Sequence, residues 1–166
     1  AAVVRLARLG VEGLWVDEAY TAWLADGSFG EMLARLRHHD DAPALYYALV
    51  KGVVALFGNS ETALRLPSAL AGAAAVALAW GFARRHLPGS EILAASATAF
   101  STLLVFYARQ ARSYALLHPL AILLIWAVCS LRRTPARGPA AAFTAAALAL
   151  LYAHNLGLLQ IGRAHV

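Results

Sequence analysis

Between Arg65 and Arg84 the chain reads LPSALAGAAAVALAWGFA, Leu66 to Ala83, without a charged side chain, and then closes with Arg84-Arg85-His86 and the turn pair Pro88-Gly89. An apolar run of this length suits one helix crossing a bilayer, whose hydrocarbon core takes about 20 residues at a rise of about 1.5 Å each. Working toward the C-terminus, Ile92 to Ala108 stops at Arg109, and Ser113 to Leu131 stops at Arg132-Arg133. A further run, Pro139 to Leu159, follows Thr134-Pro135-Ala136-Arg137-Gly138 and is rich in alanine, which lets membrane helices approach closely. The pattern predicts an all-α, multi-pass transmembrane helical bundle of about four spans over residues 63–160.

Composition agrees. Of 166 residues, 61% are hydrophobic and 14% charged, where a soluble domain is about half apolar and about a quarter charged. A soluble enzyme domain and a disordered chain are thereby disfavoured, and a single cysteine excludes a disulfide scaffold. The net charge of +5 does not indicate nucleic acid, because the cations fall between apolar runs, where they set topology.

Residues 1–62 differ in kind, holding most of the acids, the Asp26-Gly27 pair and the polar stretch Arg35 to Asp41. They read as a loop region with short helices. Pro43 to Phe57 is apolar but spans only about 22 Å as a helix and carries Lys51, so it is placed as an amphipathic helix at the interface with Tyr46 and Tyr47 at headgroup depth. The positive-inside rule then assigns Arg84-Arg85 and Arg132-Arg133-Arg137 to the cytoplasm. The first loop, Glu61 to Arg65, Arg109 to Tyr114 and His154 are expected on the outer side. Since the chain starts at Ala1, has Met32 as its only methionine and ends at an apolar helix, it is expected to be a fragment open at both ends. Ile161 to Val166 (IGRAHV) matches a translated sequencing adapter and is set aside as an artefact.

Asp17 and Glu18 put adjacent carboxylates beside Trp15 where a helix begins at the membrane surface. Such a group suits a general base, and Asp17 equally suits a plain helix cap. His38-His39-Asp40-Asp41 is a dense polar cluster, but neighbours in sequence project differently, so a solvated cap competes with substrate contact and a metal site is weakly indicated. Arg65 sits at the mouth of a span, where snorkelling is the ordinary explanation. Tyr107-Ala108-Arg109-Gln110-Ala111-Arg112-Ser113-Tyr114 places two arginines on the outer side against the topological bias. Guanidinium groups there suit bidentate binding of a lipid phosphate. His118 reads as a buried helix residue, and His154 either binds phosphate or packs.

Taken in order, Trp15-Val16-Asp17-Glu18-Ala19, His39-Asp40-Asp41-Ala42-Pro43-Ala44-Leu45-Tyr46-Tyr47, Leu56-Phe57-Gly58-Asn59-Ser60-Glu61, Arg65-Leu66-Pro67-Ser68 and Ala108-Arg109-Gln110-Ala111-Arg112-Ser113-Tyr114 resemble one family. It is the polyprenyl-phosphate-sugar-dependent membrane glycosyltransferases of the GT-C superfamily, the protein mannosyltransferase (glycosyltransferase family 39) and aminoarabinose transferase-like group. Where that family often has a proline pair, this chain has Ala42-Pro43-Ala44. The resemblance implies a GT-C type bundle with juxtamembrane helices in the first extracytoplasmic loop, in a bacterial-type cell (inner) membrane. It implies catalytic roles for Asp17, as base, and Glu18, as its support or an acceptor contact. It further implies that Arg65, Arg109 and Arg112 line the lipid-phosphate side, with Tyr114, His154, Asp41 and Tyr46 as further substrate contacts. The expected partners are a polyprenyl-phosphate-linked sugar, an acceptor protein, lipid or glycan, and the bilayer, with no nucleic acid; inversion at the anomeric carbon is expected. No particular cofactor is specified, and a divalent cation is left open. The rival readings are a transporter or flippase for a lipid-linked or anionic substrate, and a non-catalytic scaffold.

Overall fold

In the computed structural model, residues 2–39 and 44–154 are described. Asp40 and Asp41, with the proline motif up to Pro43, lie outside them, as do Asn155 and the suspected adapter residues 161–166. The regular structure of the described residues is all helical, without strands: α1 (Ala2–Leu6), α2 (Val16–Ala25), α3 (Phe29–His39), α4 (Leu45–Phe57), α5 (Glu61–His86), α6 (Glu91–Phe100), α7 (Thr102–Ala108), α8 (Tyr114–Arg133) and α9 (Arg137–Ala153). The helix starts follow local chemistry. Ser60 accepts the Ala63 N–H at 3.2 Å to open α5, and Ser101 accepts the Leu104 N–H at 3.4 Å to open α7. Ser28 and Glu31 exchange bonds at the start of α3, a reciprocal cap that follows the turn at Gly27, whose φ of +77° suits glycine.

α5 and α8 are long and apolar enough to cross a membrane. The run expected as one span from Ile92 to Ala108 is instead two helices, α6 and α7, bent by 58° at Ser101. Arg5 explains why the break is tolerated: fully buried, it donates from Nη1 to Ala99 O at 3.0 Å and from Nη2 to Thr98 O at 2.9 Å. Those carbonyls end α6 and have no partner within it. Arg5 reaches them through a gap that Gly72 leaves in α5, since a Cβ there would lie 2.5 Å from Ala108 Cβ and 3.0 Å from Arg5 Nε. Gly72→Ala is therefore expected to cost about 1–3 kcal/mol through overpacking, read as a lower thermal midpoint of the purified protein; an unchanged midpoint would show that α5 and α7 can separate freely.

α8 packs between α5 and α9, with Leu124, Ala146 and Leu150 forming a small core of their own. Arg133 Nη1 donates to Arg85 O at 3.2 Å, and the Tyr114 and His154 rings meet at 4.7 Å, so α5 and α8 run in the same sense while α9 returns. All the arginine pairs thus lie at one end and the Asp17 region at the other.

The larger core joins α2–α4 to the ends of α5, α8 and α9 through Leu24, Met32, Leu36, Tyr46, Val50 and Leu64, among others. Here the structure departs from the expectation for the tyrosines. Tyr46 and Tyr47 are 0% and 4% exposed, packed inside the protein and not presented on its surface as lipid-facing anchors. The reason is that α4 turns this face onto α2 and α5, where Tyr46 Oη meets Ser68 Oγ at 2.8 Å. Lys51, the charge that argued against a span, donates from Nζ to Ala25 O at 3.0 Å and to Gly27 O, capping the C-terminus of α2.

Candidate active site

The site is built around one buried ion pair. Glu18, third residue of α2, and Arg65, in the first turns of α5, are 1% and 4% exposed. Arg65 Nε donates to Glu18 Oε1 at 2.7 Å and Nη2 to Oε2 at 2.6 Å, the bidentate fork that guanidinium and carboxylate geometry favours. The remaining donors are also committed: Nη1 to Leu9 O at 2.6 Å and Glu12 O at 2.8 Å, and Nη2 to Gly13 O at 3.1 Å. A guanidinium has five N–H groups, and all are used. Arg65 neither snorkels nor has a donor to offer a lipid phosphate; it ties the loop before α2 to the mouth of α5.

Glu18 is equally occupied. Its Oε2 takes the Trp15 N–H at 3.2 Å, which caps α2, and its Oε1 takes the Ala111 N–H at 2.8 Å. Thr21, one turn on, donates to Ala111 O at 2.8 Å. Both polar groups of the Ala111 residue are therefore held by α2, and the turn between α7 and α8 is clamped there. Burial on its own would raise the Glu18 carboxyl, but the bonds from Arg65, Ala111 and Trp15 outweigh it and hold it below the usual carboxylate range. The sign follows: a group bound less tightly to its proton in the folded state stabilises above its unfolded value, about 4.3 for Glu, and that stability is lost as pH falls through the lower folded value. The thermal midpoint should hold above about pH 5 and fall below about pH 4, and Glu18→Gln should flatten that acid limb; an equal acid limb in Glu18→Gln would assign it elsewhere.

The clamp dictates the neighbours. Asp17 precedes Glu18 and Arg112 follows Ala111, so the register that joins Glu18 to Ala111 also brings Arg112 Nη2 to 3.8 Å from Asp17 Oδ2. Arg112 Nη1 lies 3.5 Å from Asp17 O. Asp17 does not cap α2, which begins one residue earlier; its side chain is 72% exposed, against 22% for Arg112. Arg112 stands 5.8 Å from the Tyr114 ring, and Tyr114 packs on His154 on one side and Tyr107 on the other. Four of the residues singled out in the sequence, Asp17, Arg112, Tyr114 and His154, thus form one continuous contact series. Tyr46 lies behind it through Ser68, whose hydroxyl is 3.4 Å from Arg112 O.

Arg109 is separated from this series. Its Nη1 donates to Val4 O at 3.0 Å and Ala7 O at 2.8 Å, at the end of α1. It also lines a cleft of about 250 Å³ with Arg8, Glu12, Trp15 and Gln110, floored by Glu18 and Arg65. Trp15 is 63% exposed beside it, a flat apolar face next to polar groups. His118 lines, with Arg5, Tyr107 and Tyr114, a cavity of about 20 Å³, room for about one water. Asp41 lies outside the described residues, and among those described no three His, Cys, Asp or Glu side chains converge as a metal group.

Thr21, Ser68, Arg5 and the Ala111 backbone were not singled out from sequence. Only the position of Glu18, three residues after Trp15, carried a local signal, that of an N-terminal cap; the others act across the fold.

No curated protein and no solved structure matches the chain. A family model described as dolichyl-phosphate-mannose-protein mannosyltransferase matches residues 41–162, which take in Arg65, Arg109, Arg112, Tyr114 and His154. Asp17 and Glu18 precede the matched stretch and are joined to it by the ion pair and the Ala111 clamp. With most of its length matched and an all-α architecture of apolar, membrane-crossing helices, the chain belongs to the dolichyl-phosphate-mannose-protein mannosyltransferase family of GT-C type membrane glycosyltransferases.

Proposed function

We propose that the protein transfers a sugar from a polyprenyl-phosphate donor to an acceptor hydroxyl at the outer face of the membrane, with Asp17 as general base. One observation carries this reading: an exposed carboxylate is held 3.8 Å from a guanidinium by a buried clamp that neither group belongs to. Asp17 takes the proton of the acceptor hydroxyl as its oxygen attacks the anomeric carbon. The bond from that carbon to the phosphate oxygen breaks, the phosphate leaves with the electron pair, and the configuration inverts. Arg112 faces the leaving phosphate, where a fixed cation counts most as charge develops. Tyr114 stands beside Arg112 and is itself packed on His154, and the cleft beside Trp15 and Arg109 offers room for a sugar or headgroup.

Glu18 and Arg65 act in this scheme as positioning residues. Neither has a free polar atom for substrate in this arrangement, whereas both decide where Asp17 and Arg112 stand. A donor anchored by its lipid stays in the membrane, so a site at the ends of α5, α8 and α9 serves it without a nucleotide-binding domain. The positive-inside bias supports the outer side, since the arginine pairs sit at the opposite end.

The test uses the purified full-length protein with polyprenyl-phosphate mannose and, separately, a nucleotide-linked mannose. Transfer from the lipid donor alone is expected; transfer from the nucleotide sugar alone, or none, overturns the reading. A reporter fused after Asp26 should be active only when exported, and a cytoplasmic signal would invert the sidedness.

A further inference from the structure

The end of the bundle remote from Asp17 has its own chemistry. Arg84 and Arg85 close α5, Arg132 and Arg133 close α8, and Arg137 opens α9, while Glu91 is the carboxylate beside them. Glu91 is already engaged by the Gly89 N–H at 3.0 Å. Among the described residues the ion pairs are Glu18 with Arg65 and Asp17 with Arg112, both at the other end. Among the described residues none of these arginines forms an ion pair with a carboxylate, and Glu91 interacts with Arg84 only at longer range. Arg133 is pinned by its bond to Arg85 O, and Arg84 is laid over Trp80 at 5.0 Å.

Directly beside this cluster the surface between α8 and α9 opens into an apolar groove of about 400 Å³. Leu123, Trp126 and Ala127 form one wall, and Gly138, Pro139 and Ala142 the other. Small residues make the space: a Cβ on Gly138 would meet nothing within 4 Å. The groove contains no charge, yet Arg137 directly precedes its Gly138 edge, and Arg132 and Arg133 follow its Ser130 edge.

An apolar slot ending in clustered guanidinium groups is complementary to an amphiphile with a phosphate at one end. A free anion would leave the slot unexplained, and a neutral lipid would leave the charge unexplained. We propose that this end binds an anionic phospholipid, with one acyl chain in the α8–α9 groove and the headgroup phosphate on Arg132, Arg133 and Arg137. The site is separate from the transfer chemistry and does not rest on it.

Native mass spectrometry of the full-length protein in mild detergent, titrated with phosphatidylglycerol, tests this. Phosphatidylcholine of the same chains and inorganic phosphate are the comparisons. Phosphatidylglycerol should be retained at least about tenfold more tightly than phosphatidylcholine, and millimolar phosphate should not displace it. Each arginine near a membrane surface is worth about fivefold, so the double variant Arg132→Gln, Arg137→Gln, which leaves the Arg133 bond to Arg85 O in place, should weaken retention by about 25-fold with an unchanged thermal midpoint. Ala142→Phe, which fills the groove without altering charge, should weaken both lipids together. Equal retention of the two lipids, displacement by phosphate, indifference to the double variant, or a groove that takes no lipid because another part of the protein fills it would each overturn the proposal.

Discussion

Arg65→Leu is expected to lower stability by about 3–5 kcal/mol, the cost of leaving a buried charge without its partner. The figure belongs at the upper end because more than the pair is lost. Glu18 would keep a carboxylate that is 1% exposed, and the Leu9, Glu12 and Gly13 carbonyls would lose the donors that anchor the loop before α2. Arg65→Lys should recover only part of this, because three donors on a point charge cannot replace five in a planar fork. Removing both partners, Glu18→Leu with Arg65→Leu, should cost less than the single change, since no buried charge is left over. Tryptophan fluorescence during thermal unfolding measures all three, and limited proteolysis between Leu9 and Trp15 reports loop release. A single variant as stable as the parent would show that the pair is not an anchor.

Asp17→Asn should reduce turnover by about 10²–10⁴-fold, the usual worth of a positioned base, with little change in stability because the side chain is 72% exposed and carries no buried bond. Arg112→Gln should lose about 10²–10³-fold, as for other donors aimed at developing charge. Sugar transfer from the lipid donor, with thermal midpoints measured alongside, provides the readout. Parental turnover in Asp17→Asn would remove Asp17 from the role of base without affecting the Arg65 result, so the two predictions fail separately.

The helices were legible because the apolar runs are long and end on arginines. The break at Ser101 was not, since one serine cap inside an apolar run is a weak signal; it is stabilised by Arg5, more than ninety residues away, through the Thr98 and Ala99 carbonyls. The tyrosines show the same limit. Tyr46 and Tyr47 have the composition of an interface belt, and only the docking of α4 on α2 and α5 reveals that they are core.

At the site, residue types were readable and their division of labour was not. Adjacent acids near a surface helix, and two arginines placed against the topological bias, marked Asp17, Glu18, Arg109 and Arg112 without contacts. That Glu18 and Arg65 neutralise each other, while Asp17 and Arg112 remain accessible, depends on which carboxylate of α2 points inward.

From sequence alone came the membrane class, the positions and approximate ends of most helices, the family resemblance and a short roster of polar residues, because hydrophobic length and charge placement are one-dimensional quantities. Tertiary structure decided the bend between α6 and α7, the burial of Tyr46 and the pairing of Glu18 with Arg65. It also decided the Ala111 clamp that sets Asp17 against Arg112. Each of these depends on donors and acceptors separated by tens of residues, and a desolvated polar group chooses its partner only when the chain has folded around it.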